Sequence, residues 1–143
     1  MIADTQIREV TPMDELELAI ASGPPVEFPV THLFTPGIYV RTTVLPAGSL
    51  LTSLEHNTQH PFIILSGVVD VVSGFEKITY RGPCTGITQP GTKRVLYAQT
   101  DTVWVTIHAN PEELTDPDAI GEKITRPFDN PLFANKQDPR LNQ

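Results

Sequence analysis

Cysteine is almost absent from these 143 residues: Cys84 stands alone, which excludes an internal disulfide and a cysteine-rich zinc site. Positive charge is scarce too. Ten Lys and Arg face seventeen Asp and Glu, for a net charge of −7, so a broad nucleic-acid-binding surface is disfavoured and only a small cationic patch is compatible with the balance. No apolar run approaches the roughly 20 residues of a membrane-spanning helix. The first residues do not follow the basic-then-apolar order of a secretion signal. A cytoplasmic protein with neither membrane nor nucleic-acid partners is the expectation. A solenoid repeat, a phosphate-cradling glycine loop, a Ser-His-Asp order and paired catalytic carboxylates are all missing from the linear sequence.

What the chain does have is punctuation. Fourteen prolines and nine glycines separate short apolar runs, a pattern that favours a β-rich fold over a helical bundle. Hydrophobic residues make up 39% and charged residues 19%, an ordinary globular balance for one domain with a real core. Three regions follow: an N-terminal extension over 1–27, a β-barrel over 28–110, and a short helix with an extended tail over 111–143. Residues 1–10 read as a short strand or a loose lead-in. Thr11 is placed as an N-cap, with Pro12 at the first helical position and Asp14 and Glu15 in the first turn. The spacing of Met13, Leu16 and Ile20 predicts an amphipathic helix from Pro12 to about Ala21, stopped by Gly23 and Pro24-Pro25.

Between Phe28 and His108 the sequence alternates strands with turns. Strands are expected over Ile38–Leu45, Leu50–His56, Phe62–Leu65, Val68–Val72, Glu76–Arg81, Thr85–Thr88, Val95–Ala98 and Val103–Ile107, with Ser73-Gly74 as a hairpin turn. The last two are expected to form a hairpin through Gln99-Thr100-Asp101. Strands this short and closely spaced, without intervening helices, describe a sandwich or barrel. Beyond Pro111, Asp116 caps a second helix running to about Lys123. Residues 126–143 read as a flexible tail or as an arm that orders against a partner.

Candidate chemistry concentrates in Gly48–Gly67, which places His56 and His60 beside a β-forming run, and in the turn Gln89-Pro90-Gly91-Thr92-Lys93-Arg94. Antiparallel pairing brings His108, at the end of the last strand, towards the same barrel mouth. His32 precedes the first barrel strand. Trp104 and Tyr97 read as core packing or as the floor of a ligand pocket. Cys84 has no activating neighbour in sequence and reads as a small buried hydrophobe.

The spacing from Gly48 to Gly67 resembles the first motif of the cupin superfamily, in which a histidine pair, a glutamate and a glycine recur. Counting back from Gly67, the glutamate position falls on His60 and the histidine pair on Leu54 and His56. The second cupin motif is similar to Pro90-Gly91-Thr92-Lys93-Arg94, with Arg94 in its histidine position. This resemblance covers about residues 35–108. It implies an all-β jelly-roll (double-stranded β-helix) and, where the ligand set is complete, a divalent metal held by three histidines and a carboxylate.

Leu54 cannot coordinate, and Arg94 brings a permanent positive charge to the place where a cation would sit. The cofactor expectation is therefore none, or a divalent ion on His56, His60 and His108. The runs T-H-L-F-T-P-G-I-Y-V-R, P-G-T-K-R-V-L-Y and D-T-V-W-V-T-I-H also resemble small cupin-like proteins of tailed bacteriophages. That implies a homo-oligomer, in the host cytoplasm or the virion, associating with other virion proteins.

Three readings stay open. The leading one is a non-catalytic module that acts through protein–protein association. A second is a metal-dependent oxygenase or isomerase. The third is a small-anion binder with Arg94 as its clamp, the histidines as donors, and Tyr97 and Trp104 at its pocket, although Lys93 and Arg94 can also pair on the surface with Glu55, Asp70 or Asp101.

Overall fold

The computed structural model describes residues 8–133, which fall into two compact units: Val26–Pro127, and the flanking segments up to Pro25 and from Phe128. This division differs from the three regions read from sequence, because the second helix belongs with the strands. The lead-in expected over 1–10 lies largely outside the described residues, as do the last ten positions of the tail.

In the flanking unit, helix α1 spans Pro12–Ser22. Thr11 caps it: its hydroxyl accepts from the Asp14 N–H at 3.2 Å, while the Asp14 carboxylate accepts from the Thr11 N–H at 2.8 Å. Periodicity points to Met13, Leu16 and Ile20 as the inner face, but the buried residues are Asp14 and Glu17. The reason is a polar network. Arg8 grips Asp14 through two hydrogen bonds of 2.6 and 2.8 Å, and the buried Asn130 amide donates to the Asp14 carbonyl and to Glu17 Oε1. The Arg8 guanidinium holds the Asp14 carboxyl down at about 2.

The larger unit contains nine strands: β1 (Val30–Thr35), β2 (Gly37–Leu45), β3 (Leu50–Thr52), β4 (His60–Ser66), β5 (Val68–Ser73), β6 (Glu76–Arg81), β7 (Cys84–Thr88), β8 (Val95–Ala98) and β9 (Thr102–Asn110), followed by helix α2 (Pro117–Ile124). They form two antiparallel sheets, ordered β1-β2-β9-β4-β7 and β3-β8-β5-β6. The expected jelly-roll architecture is what the strands build. Leu45, Phe62, Ile64, Val69, Val71, Leu96, Ala98 and Trp104 make one buried cluster from both sheets. Each large apolar side chain of this kind contributes about 1.5–3 kcal/mol on burial. Cys84 packs against this cluster, half-buried and unpaired.

Several local expectations meet a different outcome. The strand read as Leu50–His56 ends at Thr52, so strand alternation does not carry on to orient His56. A strand, β1, includes His32, in register with Arg41 of β2. The supposed last hairpin is not one: β8 pairs with β3 and β5, whereas β9 pairs with β2 and β4. Gln99-Thr100-Asp101 therefore carries the chain from one sheet to the other. Gly67 makes the matching corner between β4 and β5, at φ +98°, and a Cβ there would meet the Asp101 carbonyl oxygen at 2.3 Å. The Ser73-Gly74 turn does join β5 to β6 as a hairpin, with Ser73 opposite Glu76.

The two faces of the five-stranded sheet differ sharply. Inward positions carry His60, Phe62, Trp104 and His108. Outward positions alternate through Leu33, Val40, Ile107, Ile63, Val105 and Ile87, with Thr, Pro and Ala between them. No outward position of these five strands carries a charge.

Candidate functional site

Three histidines meet at one end of the barrel. His60 opens β4 and His108 lies near the end of β9; these two strands run antiparallel with Phe62 opposite Thr106. Their ring centroids are 4.3 Å apart. His56 reaches them from the loop before β4, 4.7 Å from His60 and 6.2 Å from His108. That loop is pinned from two sides, since the His56 carbonyl accepts from the Gly91 N–H at 2.9 Å and Asn57 N–H donates to the Ile124 carbonyl at 2.7 Å. The row continues outward: Tyr39 stacks on His108 at 5.8 Å, and His32 Nδ1 lies 2.6 Å from the Tyr39 hydroxyl. All four histidines of the chain thus belong to one row. The trio foreseen at the barrel mouth does form, through the β4–β9 pairing and not through the expected hairpin.

Burial keeps this cluster neutral. Desolvation, then the neighbouring imidazoles, lowers His108 to about 3. His56 is lowered to about 4 by desolvation first, then by His60 and Arg94. His60 is lowered mainly by desolvation. His60 Nδ1 faces the Thr58 carbonyl at 3.3 Å, so that nitrogen carries the proton and Nε2 is left with a lone pair. His108 Nε2 meets the Thr106 hydroxyl at 2.9 Å. Three further ring nitrogens, His56 Nδ1, His60 Nε2 and His108 Nδ1, are buried without a hydrogen-bond partner.

Arg94 lies inside the barrel, 9% exposed. Its backbone is fixed by Ser53, whose hydroxyl accepts from the Arg94 N–H at 2.9 Å and whose N–H donates to the Arg94 carbonyl at 2.9 Å. The guanidinium carbon sits 5.6 Å from the Trp104 ring and 5.9 Å from the Phe62 ring. These two rings stack on each other at 4.8 Å. Arg94 Nε is buried without a partner, as is Thr88 Oγ1. The surface pairing foreseen for Arg94 is not formed: Glu55 meets Arg126 at 3.6 Å, Asp70 meets Lys77 at 3.9 Å, and Asp101 accepts from the Ala47 N–H. Arg94 instead lines a cavity of about 130 Å³ with Phe62, Val71, Ile78, Tyr80, Ile87 and Thr88, rimmed by exposed Glu76 and Gln89.

Trp104 is buried beneath Arg94, whereas Tyr97 is 42% exposed. Tyr97 pairs with Leu50 and Asp70 on the outward side of β8, where Leu96 and Ala98 take the inward positions. It neither packs the core nor floors the cavity. Thr88 and Tyr80 were not legible as site residues. Their only sequence signal is an inward position on strands whose edges were uncertain.

A scan against protein-family models finds no match, and no curated protein matches the sequence. Solved structures do share the fold. The cupin domain of Cnp3 from Schizosaccharomyces pombe superimposes with a TM-score of 0.50 at 17% identity, covering 63% of this chain and 73% of that one. This chain has the cupin fold. A putative ethanolamine utilization protein EutQ from Salmonella typhimurium is similar at TM-score 0.52 and 14% identity, over 61% of this chain and 72% of that one. Salicylate 1,2-dioxygenase from Pseudoaminobacter salicylatoxidans reaches 0.54 at 14% identity, over 70% of this chain but 30% of that longer one.

The cupin resemblance implies a metal centre, and the donor set can be tested against it. Three imidazoles with unpartnered nitrogens are present, but no carboxylate joins them, and His56 and His108 stack nearly parallel, at 12°. Among the described residues no group of three or more His, Cys, Asp or Glu is disposed to hold an ion. The permanent charge of Arg94 lowers both His56 and His60, and the same field opposes a divalent cation. The residues of this cupin barrel do not fit the implied metal.

Proposed function

We propose that this chain is a non-catalytic cupin module that holds a small anion inside its barrel, with Arg94 as the anchor. One observation carries the reading: a buried guanidinium without a carboxylate partner lines a cavity that opens at an exposed rim. An unpaired buried charge costs several kcal/mol, whereas stacking on Trp104 and Phe62 returns about 0.5–2 kcal/mol. The shortfall is what an incoming anion would offset. A thermal-unfolding series with sodium salts of small organic and inorganic anions tests this. At least one anion should raise the midpoint of the native chain through ligand linkage and leave Arg94→Gln unmoved. Equal shifts in both proteins would defeat the proposal.

A second reading, association with further copies of this chain, is supported by the uncharged outward face of the five-stranded sheet. Leu33 and Ile87, 62% and 60% exposed, stand on its two edge strands. Two such faces can stack as aligned sheets do, and neither needs a charge complement. Leu33→Lys should then lower the sedimentation coefficient from that of an oligomer to that of a monomer; a native chain that is already monomeric would remove this reading. Placing such an oligomer in a bacteriophage particle, in company with other virion proteins, rests on the phrase resemblance alone.

A further inference from the structure

We infer that the anion taken by the Arg94 cavity is a short-chain monocarboxylate, of about four carbons, bound with its carboxylate on Arg94 and Thr88 and its tail on the apolar wall. The inference rests on the anion reading above and adds the class of ligand. Three features set it. Charge comes first. Arg94 is the cation of the cavity lining, and the acidic residue in that lining is Glu76, at the rim. A ligand of charge −1 neutralises the guanidinium; a dianion brings a second negative charge that meets no second cation in the lining and has Glu76 at the rim.

Donor geometry comes second. Arg94 Nε and Thr88 Oγ1 are both buried, both unpartnered, and both in the wall of the same cavity. A guanidinium presents its N–H groups in a planar fork that matches a carboxylate, and this one is held 5.6 Å from the Trp104 ring and 5.9 Å from the Phe62 ring. The Thr88 hydroxyl, 2% exposed, supplies a further donor to the same group.

Size comes third. A volume of about 130 Å³ is slightly less than the roughly 150 Å³ cavity that accommodates benzene, so about six non-hydrogen atoms of a ligand can be enclosed before the rest reaches the rim. A carboxylate takes three of them. Phe62, Val71, Ile78, Tyr80 and Ile87 make the rest of the wall mainly apolar, with Ser73, Gln89 and Thr92 as its further polar groups, and such a wall suits an alkyl tail better than a polyhydroxylated one.

Titration calorimetry on the full chain tests this with butyrate, its neutral counterpart butyramide, succinate and inorganic phosphate. Butyrate should bind. Butyramide should bind at least tenfold more weakly, as expected on losing a charge-assisted hydrogen bond. Succinate and phosphate should also be weaker than butyrate. Arg94→Gln should lose butyrate about 10–100-fold. Thr88→Val, which keeps the side-chain volume, should lose it several-fold and carries the test should Arg94→Gln fail to fold.

The two levels of the reading fail separately. Phosphate or succinate binding more tightly than butyrate, and dependent on Arg94, overturns the monocarboxylate class and keeps the anion site. Butyramide matching butyrate overturns recognition by charge. Binding of none of the four by the native chain overturns both.

Discussion

The guanidinium carbon of Arg94 lies 5.6 Å from the ring of Trp104, inside the barrel. The cupin resemblance in sequence would put a metal-binding histidine at this position; here a fixed cation lies near an indole. Its desolvation outweighs the stacking, because burial of an unpaired charge costs several kcal/mol and a cation–π contact returns about 0.5–2 kcal/mol. Arg94→Met should therefore stabilise the ligand-free protein by about 1–4 kcal/mol, the range seen when buried ion pairs give way to apolar side chains. Urea denaturation measures it, and a clear loss of stability would show that Arg94 has a protein counter-charge after all.

Stability should fall on acidification before most carboxylates titrate. The imidazoles of His56 and His108 are lowered to about 4 and about 3, whereas unfolded histidines sit near 6.5. Above about 6.5 both states are neutral and the full stability is present. As the pH drops from there towards 4, the unfolded chain gains protons that the folded chain refuses. Each such histidine then removes about 1.4 kcal/mol per pH unit. His108→Gln should flatten this slope between pH 6 and pH 4, measured as unfolding free energy against pH. An unchanged slope would mean that the cluster is hydrated enough to titrate normally.

Metal should not bind stoichiometrically. After incubation with iron(II), manganese, nickel or zinc salts and gel filtration, elemental analysis should find far less than one ion per chain. Any small shift in unfolding temperature should survive His60→Gln. A tightly held ion released by that substitution would show that the three imidazoles rearrange to converge.

Gly86→Ala should be among the most damaging single-methyl additions. A Cβ at this position would fall 2.3 Å from Phe62 Cζ, and that ring is locked against Trp104 at 4.8 Å. Overpacking of this kind costs about 1–3 kcal/mol, read from the denaturant midpoint. Because Phe62 also lines the cavity, ligand affinity should fall with it.

Asn130→Ala tests the other unit. The fully buried amide donates to the Asp14 carbonyl at 3.0 Å and to Glu17 Oε1 at 3.2 Å. Losing both hydrogen bonds should cost about 1–3 kcal/mol. Amide hydrogen exchange in α1 should accelerate correspondingly.

Local signals were legible wherever one short stretch carries its own reason. Thr11-Pro12 and Asp116-Pro117 start helices because capping and a fixed φ act within a few residues. Turn glycines and β-branched runs mark most strands, and residues around His56 and His60 mark the barrel mouth. Periodicity misled at α1, where the buried face holds Asp14 and Glu17, since the Arg8 and Asn130 that satisfy them come from elsewhere in the chain.

The chain order alone therefore determined a β-rich domain, its principal turns, and the residue types available at the motif positions. Tertiary structure decided which strands are neighbours. It separated β8 from β9 into different sheets, turned Tyr97 outward and Arg94 inward, and put Thr88 in the lining of the same cavity as Arg94. Pairing between distant strands depends on how both sheets bury their apolar faces together, a property of the whole barrel that no single window of sequence contains.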